Sequence, residues 1–251
     1  MRLLLSCLSA LLCAALAQGA AHAAEAQVAV AANFAEPVKA LAAELHKTTG
    51  HTLKVTLGST GKLYAQIRNG APFDVLLAAN AQVPEALERD GLAQPGSRFT
   101  YATGQLALWS AQPGRVDDQG AVLRRADLGK VAYAAPKVAP YGAAALEAME
   151  RLGLSAVLAP KLVQGESIGQ AFGFVFTGNA DVGFVALSQV WANGRLRSGS
   201  VWRVPPQLYS PIRQDAVLLR RGAGNEAALA LLQLLQSPSG RALIAAYGYQ
   251  P

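Results

Sequence analysis

Cysteine is nearly absent. The chain of 251 residues has two, Cys7 and Cys13, both within its first 13 positions. Everything after them lacks a disulfide, a thiolate metal site and a cysteine nucleophile. Histidine is scarce too. Beyond His22, only His46 and His51 remain, with no cluster of Asp, Glu or Cys beside them in the sequence. That is poor material for zinc or for a Ser-His-Asp triad. Charged residues make up 15% of the chain, and the formal net charge is +6. The basic residues are scattered, adjacent only as Arg124-Arg125 and Arg220-Arg221. Without a basic stripe interleaved with aromatics, nucleic acid is not the partner. The positive balance would help draw in an anion at long range but does not say where it sits.

One long apolar run exists, at the start. Arg2 is the only charge before Glu25, Leu3 to Leu16 is broken only by Ser6, Cys7, Ser9 and Cys13, and Ala21-His22-Ala23 ends the segment. A positive start, a short apolar stretch and a small-x-small ending predict a cleavable secretory signal over residues 1–24 and a periplasmic location. The run is shorter than the ~20 residues a spanning helix needs. Neither cysteine suits a lipoprotein, since Cys13 follows Leu12 rather than a small residue and Cys7 lies too near the start. Removal of Arg2 lowers the formal charge from +6 to +5.

The remainder reads as alternating short strands and amphipathic helices, an α/β architecture with mainly parallel sheets. Strands are predicted over 28–32, 53–57, 73–79, 104–110, 131–135, 162–163, 182–186, 202–204 and 215–219. Helices are predicted from Phe34 to Gly50, around Leu63 to Ile67, over 83–89, 141–152 with Leu146 and Met149 inward, 168–176, 226–236 and 239–246. Asn33 reads as an N-cap, and 113–125 as a surface loop. Trp109, Trp191 and Trp202 read as core or hinge packing.

Three strand-to-helix junctions carry small, hydroxyl or amide residues: Ala31-Ala32-Asn33-Phe34, Gly58-Ser59-Thr60-Gly61 and Pro140-Tyr141-Gly142. Free backbone N–H groups and the positive end of the helix dipole make such junctions anion sites. Any one of them is also an ordinary cap; three at the carboxyl ends of strands, where α/β ligands collect, shift the balance. Gly58 to Lys62 resembles a phosphate-binding loop, but Thr56 replaces its first glycine and Leu63 its final Ser/Thr. No G-x-S-x-G elbow occurs.

Several blocks, in order, give a more specific reading. Ala31-Ala32-Asn33-Phe34, Gly58 to Ile67, Asn69 to Val75, Pro140-Tyr141-Gly142, Thr177 to Val185 and Tyr247-Gly248-Tyr249 together resemble the periplasmic molybdate-binding proteins of ABC transporters. The resemblance implies a type II periplasmic binding protein fold: two α/β lobes, a hinge of two crossovers near 102–105 and 205–211, and a ligand cleft between. Lobe 1 would be residues 25–103 plus 208–251, and lobe 2 residues 104–207. It implies capture of molybdate or tungstate for a membrane permease, by a monomer that performs no chemistry and uses no cofactor. By family pattern, Asn33 and Thr60, with Ser59 beside it, hold the anion from lobe 1. Tyr141 and the backbone N–H of Ile168 hold it from lobe 2, and Ala32 adds a backbone contact. Some relatives place a ligand tyrosine where this chain has Ala186, a contact that Tyr141 would replace.

None of these residues is Lys or Arg. Neutral donors suit a fully deprotonated anion and discriminate against hydrogen phosphate, which needs an acceptor. Sulfate would be excluded by its shorter bonds, whereas tungstate nearly matches molybdate in size. The rival readings are a binder of sulfate, phosphate or another anion, a secreted hydrolase with Ser59 as nucleophile, and the effector domain of a transcription regulator. The lack of a base-and-orienter set counts against the second, and the leader and absence of a helix-turn-helix against the third.

Overall fold

A computed structural model describes residues 23–250. The predicted leader lies outside the described residues but for Ala23 and Ala24. Among those described, no helix is long and apolar enough to cross a membrane.

The chain opens with β1 (Glu25–Ala31), whose central residues are buried on both sides. Successive side chains alternate across a strand. Val28 and Val30 accordingly pack with Phe34, Leu41, Leu45 and Leu231, while Ala29 packs on the other face with Leu63, Ile67 and Leu87. Each fully buried leucine contributes about 1.5–3 kcal/mol by leaving water. A 3-10 turn (Ala32–Phe34) leads into α1 (Ala35–Thr49). Then come β2 (Thr52–Gly58), α2 (Thr60–Arg68), β3 (Val75–Leu77), α3 (Gln82–Arg89) and β4 (Phe99–Gly104).

The chain then crosses to a second sheet. There it forms β5 (Leu106–Ser110), β6 (Val131–Ala134), α4 (Pro140–Arg151), α5 (Ser155–Leu158), β7 (Leu162–Gly165), α6 (Ile168–Phe176) and β8 (Val182–Ala186). After α7 (Leu187–Val190) and the small hairpin β9 (Trp191–Ala192) and β10 (Arg195–Leu196), β11 (Ser200–Arg203) completes that sheet. The chain returns through β12 (Ile212–Leu218) to the first sheet and ends in α8 (Glu226–Gln236) and α9 (Pro238–Ala246). The two sheets run β2-β1-β3-β12-β4 and β11-β5-β8-β6-β7. The crossings thus fall between Gly104 and Leu106 and between Arg203 and Ile212.

Both sheets are mixed rather than mainly parallel. β1 pairs in parallel with β2 and β3, and β6 with β7 and β8. β12 runs antiparallel to β3 and β4, and β5 antiparallel to β8 and β11. The antiparallel strands are those next to the crossings, where the chain arrives without a helical connection to turn it around. β4 itself was not expected from the sequence.

Two further readings change. Leu146 is 38% exposed, because α4 turns Tyr141, Ala144, Ala145, Ala148 and Met149 inward, and Leu146 lies off that stripe. Residues 113–125 are not merely surface loop: Val122 and Leu123 are buried in a 3-10 turn. The Asp117 carboxylate supports that turn by accepting the N–H groups of Gln119, Ala121 and Val122. Trp109 and Trp202 are buried, as expected of core residues, while Trp191 is half-buried beneath the guanidinium of Arg203 at 4.0 Å.

Candidate functional site

The first turns of four helical segments meet between the two sheets. The 3-10 turn before α1 brings Ala32 and Asn33, α2 brings Ser59 and Thr60, α4 brings Tyr141, and α6 brings Ile168. All six line one small cavity together with Ala31, Gly58, Ala79, Ala139 and Pro140. Its empty volume is about 200 Å³. No lining residue carries a charge. The leading N–H groups of a helix have no partner within it and point at whatever sits before the first turn, so this is an electropositive pocket built from neutral groups.

Ser59 supplies the most telling atom. It precedes α2 in an extended conformation, makes no capping bond, and is 4% exposed. Its Oγ is buried with no hydrogen-bond partner. Leaving such a hydroxyl unsatisfied costs about 1–3 kcal/mol, a cost that an acceptor entering the cavity would remove. Thr60 is also buried, and its Oγ1 accepts the N–H of Ala79 at 3.0 Å, which leaves its own proton to give.

Asn33 is not a cap. It lies inside the 3-10 turn, and its Nδ2 donates to Gln214 Oε1 and to the Tyr249 hydroxyl, both at 2.9 Å. With its amide donors spent, what Asn33 retains for a ligand is its backbone N–H. The Tyr141 hydroxyl is likewise engaged away from the cavity. It accepts Gln214 Nε2 at 3.3 Å and adjoins the Tyr249 hydroxyl, leaving Tyr141 its backbone N–H in the first turn of α4. Ile168 opens α6 behind Ser167, whose Oγ caps the helix by accepting from Gln170 N–H. Gln189 braces the same turn by donating to the Ile168 carbonyl and accepting from Ala186 N–H. Ala186 is fully buried and does not line the cavity.

Beneath the pocket lies a polar network that sequence reasoning missed, made of Gln214, Tyr101, Ser188 and Tyr249. Ser188 Oγ donates to the Asn33 carbonyl at 2.7 Å and Tyr249 OH to the same oxygen at 3.0 Å. Burial pushes the Tyr249 phenol up to about 12, and the Tyr101 and Tyr141 phenols well above their ordinary range. All three therefore remain neutral donors. The signal available in the sequence was the polar run Arg213-Gln214-Asp215 inside a strand that is apolar on either side of it.

The lobes touch across the cleft. Gly61 N–H donates to Val138 O at 2.9 Å, and a Cβ at Gly61 would lie 3.0 Å from Val138 Cα. Lys62 pairs with Glu166, and Arg197 with Glu36. Beside the pocket runs a wider groove lined by Leu57, Trp109, Phe172 and Phe176; it offers apolar surface rather than unspent donors. Among the described residues no group of three or more His, Cys, Asp or Glu could hold a metal ion.

The sequence profile of a family described as "bacterial extracellular solute-binding protein" matches residues 26–250. The chain is 56% identical to the molybdate-binding protein ModA of Azotobacter vinelandii over 230 residues, covering 92% of this chain and 91% of that protein. It is 54% identical to the molybdate-binding protein ModA of Rhodobacter capsulatus over 229 residues, covering 91% and 89%. Its fold is similar to the solved structure of an Azotobacter vinelandii periplasmic molybdate-binding protein, with a TM-score of 0.87 at 41% identity, over 90% of this chain and 99% of that one.

Proposed function

We infer what this chain does from the family to which it belongs, the bacterial extracellular solute-binding proteins, and from the molybdate-binding proteins it is similar to within it. It captures molybdate and delivers it to an ABC importer. Its relatives are substrate-binding proteins rather than enzymes, and no bond-making step enters the proposal.

The ligand class is supported above all by the orphaned Ser59 hydroxyl, buried in a charge-free pocket where four first turns converge. We assign the anion's contacts to the Ser59 and Thr60 hydroxyls and to the backbone N–H groups of Ala32, Asn33, Tyr141 and Ile168. Hydrogen bonds from neutral donors to a charged group contribute about 1.5–3 kcal/mol each. Together they offset dehydration of the dianion and ordering of the lobes. Because contacts come from both lobes, the anion favours the closed state over the open one. Tungstate would enter the same pocket. No cofactor is involved, and the molybdenum arrives as cargo.

Within this reading, residues 1–24 are a cleavable leader, residues 25–103 with 208–251 and residues 104–207 form the two lobes, and the protein works as a periplasmic monomer. The test is calorimetric titration of the protein from Ala24 onward with molybdate, tungstate, sulfate and phosphate. Tight one-to-one binding of molybdate with sulfate and phosphate silent is the expected result. Silence for molybdate and tungstate, or equal binding of sulfate, would overturn it.

A further inference from the structure

Gln214 is completely buried on β12, the strand that brings the chain back from the second sheet. The register against β4 slips between Gln214 and Asp215, so two consecutive polar side chains are both withdrawn from water. Asp215 is turned to Arg98 and Thr100, at 3.0 and 2.7 Å. Gln214 is turned to the floor of the cleft. Its Oε1 accepts from Asn33 Nδ2 at 2.9 Å and from Tyr101 OH at 3.3 Å, and its Nε2 donates to Tyr141 OH at 3.3 Å. One amide thus joins a residue from each side of the pocket. Gly104, at the end of β4, makes room for this: a Cβ there would stand 2.0 Å from the Tyr141 oxygen and 2.7 Å from Gln214 Nε2.

We propose that Gln214 is a positioning residue for anion capture, whose amide locks Asn33 of the first lobe to Tyr141 of the second in the arrangement that aims their backbone N–H groups into the pocket. The proposal rests on the molybdate-binding reading above. An amide is required because the position must accept and donate at once. Asn33 Nδ2 can only give a hydrogen, so it needs an oxygen opposite. The Tyr141 hydroxyl gives its own proton to the adjacent Tyr249 oxygen, so towards position 214 it offers an acceptor and needs a donor. A carboxylate satisfies the first demand and fails the second. A protonated carboxyl satisfies both.

Gln214→Glu therefore makes the lock titratable. The titratable groups facing it are the phenols of Tyr101 from β4, Tyr141 from α4 and Tyr249 from the C-terminal segment, all raised by burial. The adjacent Asp215 is held by Arg98 and Thr100, and the neutral Asn33 and Ser188 complete the surround. With no cation left over for it, the carboxylate introduced by Gln214→Glu would be strained and would also repel the dianion.

Molybdate affinity is measured by calorimetry for wild type, Gln214→Glu and Tyr141→Phe at pH 5.5 and pH 8, beside ligand-free melting. Gln214→Glu should bind within about threefold of wild type at pH 5.5 and at least about tenfold more weakly than wild type at pH 8. Tyr141→Phe, which deletes the oxygen that Gln214 addresses and keeps the ring packing, should be weakened at both pH values. Normal affinity for both variants at both pH values, or a Gln214→Glu defect confined to melting temperature, would overturn the proposal. If Gln214→Glu does not fold, Tyr141→Phe at wild-type affinity suffices to overturn it. Wild type silent towards molybdate would instead remove the reading beneath it.

Discussion

Ser188 Oγ donates to the Asn33 carbonyl at 2.7 Å, so a helix of one lobe is bonded directly to the first turn of the other, below the pocket. The bond exists only while the lobes are together. A net hydrogen bond of this kind contributes about 0.5–1.5 kcal/mol. Ser188→Ala should weaken molybdate binding by about two- to tenfold and leave its one-to-one stoichiometry intact. Scattering should show a larger share of extended molecules at subsaturating ligand. Unchanged affinity would mean that closure does not draw on this contact.

Ser59→Ala separates ligand binding from stability. Its hydroxyl has no partner in the pocket, so deleting it should leave the ligand-free melting temperature unchanged or slightly raised. Binding should fall by about 10- to 100-fold, one charge-assisted hydrogen bond. Thr60→Val should lose in both measurements, since Ala79 N–H also loses its acceptor. Calorimetry and melting on the same samples check the contrast.

Ionic strength should matter little but measurably. The Lys62–Glu166 and Arg197–Glu36 pairs both bridge the cleft, yet their side chains remain between 32% and 72% exposed. Such pairs contribute about 0–1 kcal/mol and are screened by salt. Affinity should fall no more than a few-fold between dilute buffer and molar sodium chloride, and Lys62→Ala should flatten the dependence. A drop of several orders of magnitude would imply charged contacts to the anion itself.

Alkaline pH should loosen the fold through its buried phenols. Tyr249 titrates at about 12 in the folded chain, against about 10 when unfolded, and Tyr101 and Tyr141 shift in the same direction. Above pH 10 the unfolded chain has already released protons that the folded chain retains, so stability falls as pH rises. This contribution is complete below pH 10 and is lost progressively towards 12. Ligand-free melting between pH 8 and 11 should be level at first and then decline. Tyr249→Phe should decline less steeply.

Gly104→Ala should damage binding more than its size suggests, because its methyl would collide with the Tyr141 oxygen and Gln214 Nε2. A loss of at least about 1–3 kcal/mol from overpacking is expected, read as lowered melting temperature together with weakened molybdate binding. Wild-type behaviour in both would show that the two crossing strands have slack here.

The elements legible in the sequence were those whose signals are local. Ile168–Phe176 and Val182–Ala186 follow from an apolar run ended by Thr177-Gly178 and a short buried β-rich stretch. The junctions at Ser59 and Tyr141 could be marked because small and hydroxyl residues at a helix start have a physical meaning of their own, whereas Ile168 entered only through the family resemblance. Asn33 showed the limit of that reasoning. Its residue type suggests a cap, but its partners Gln214 and Tyr249 lie 181 and 216 positions away, and nothing near Asn33 announces them. Gln214 was hidden for the same reason, and because a register slip, invisible to strict alternation, is what buries it beside Asp215. β4 was missed since Thr100 and Thr103 serve pairing and side-chain bonds rather than an apolar stripe.

The pocket's place between the lobes has a kinetic meaning. The anion's assigned contacts come from both lobes around a cavity of about 200 Å³, so a bound oxyanion loses the hydrogen bonds of one lobe when the lobes part. If its escape is timed by the parting of Gly61 from Val138 and of Ser188 from Asn33, release is gated by the lobes rather than by the anion's own diffusion. Two cargoes of different affinity would then share one upper limit on their release rate, the opening rate of the empty shell. Whatever pries the lobes apart at the membrane sets the moment of delivery.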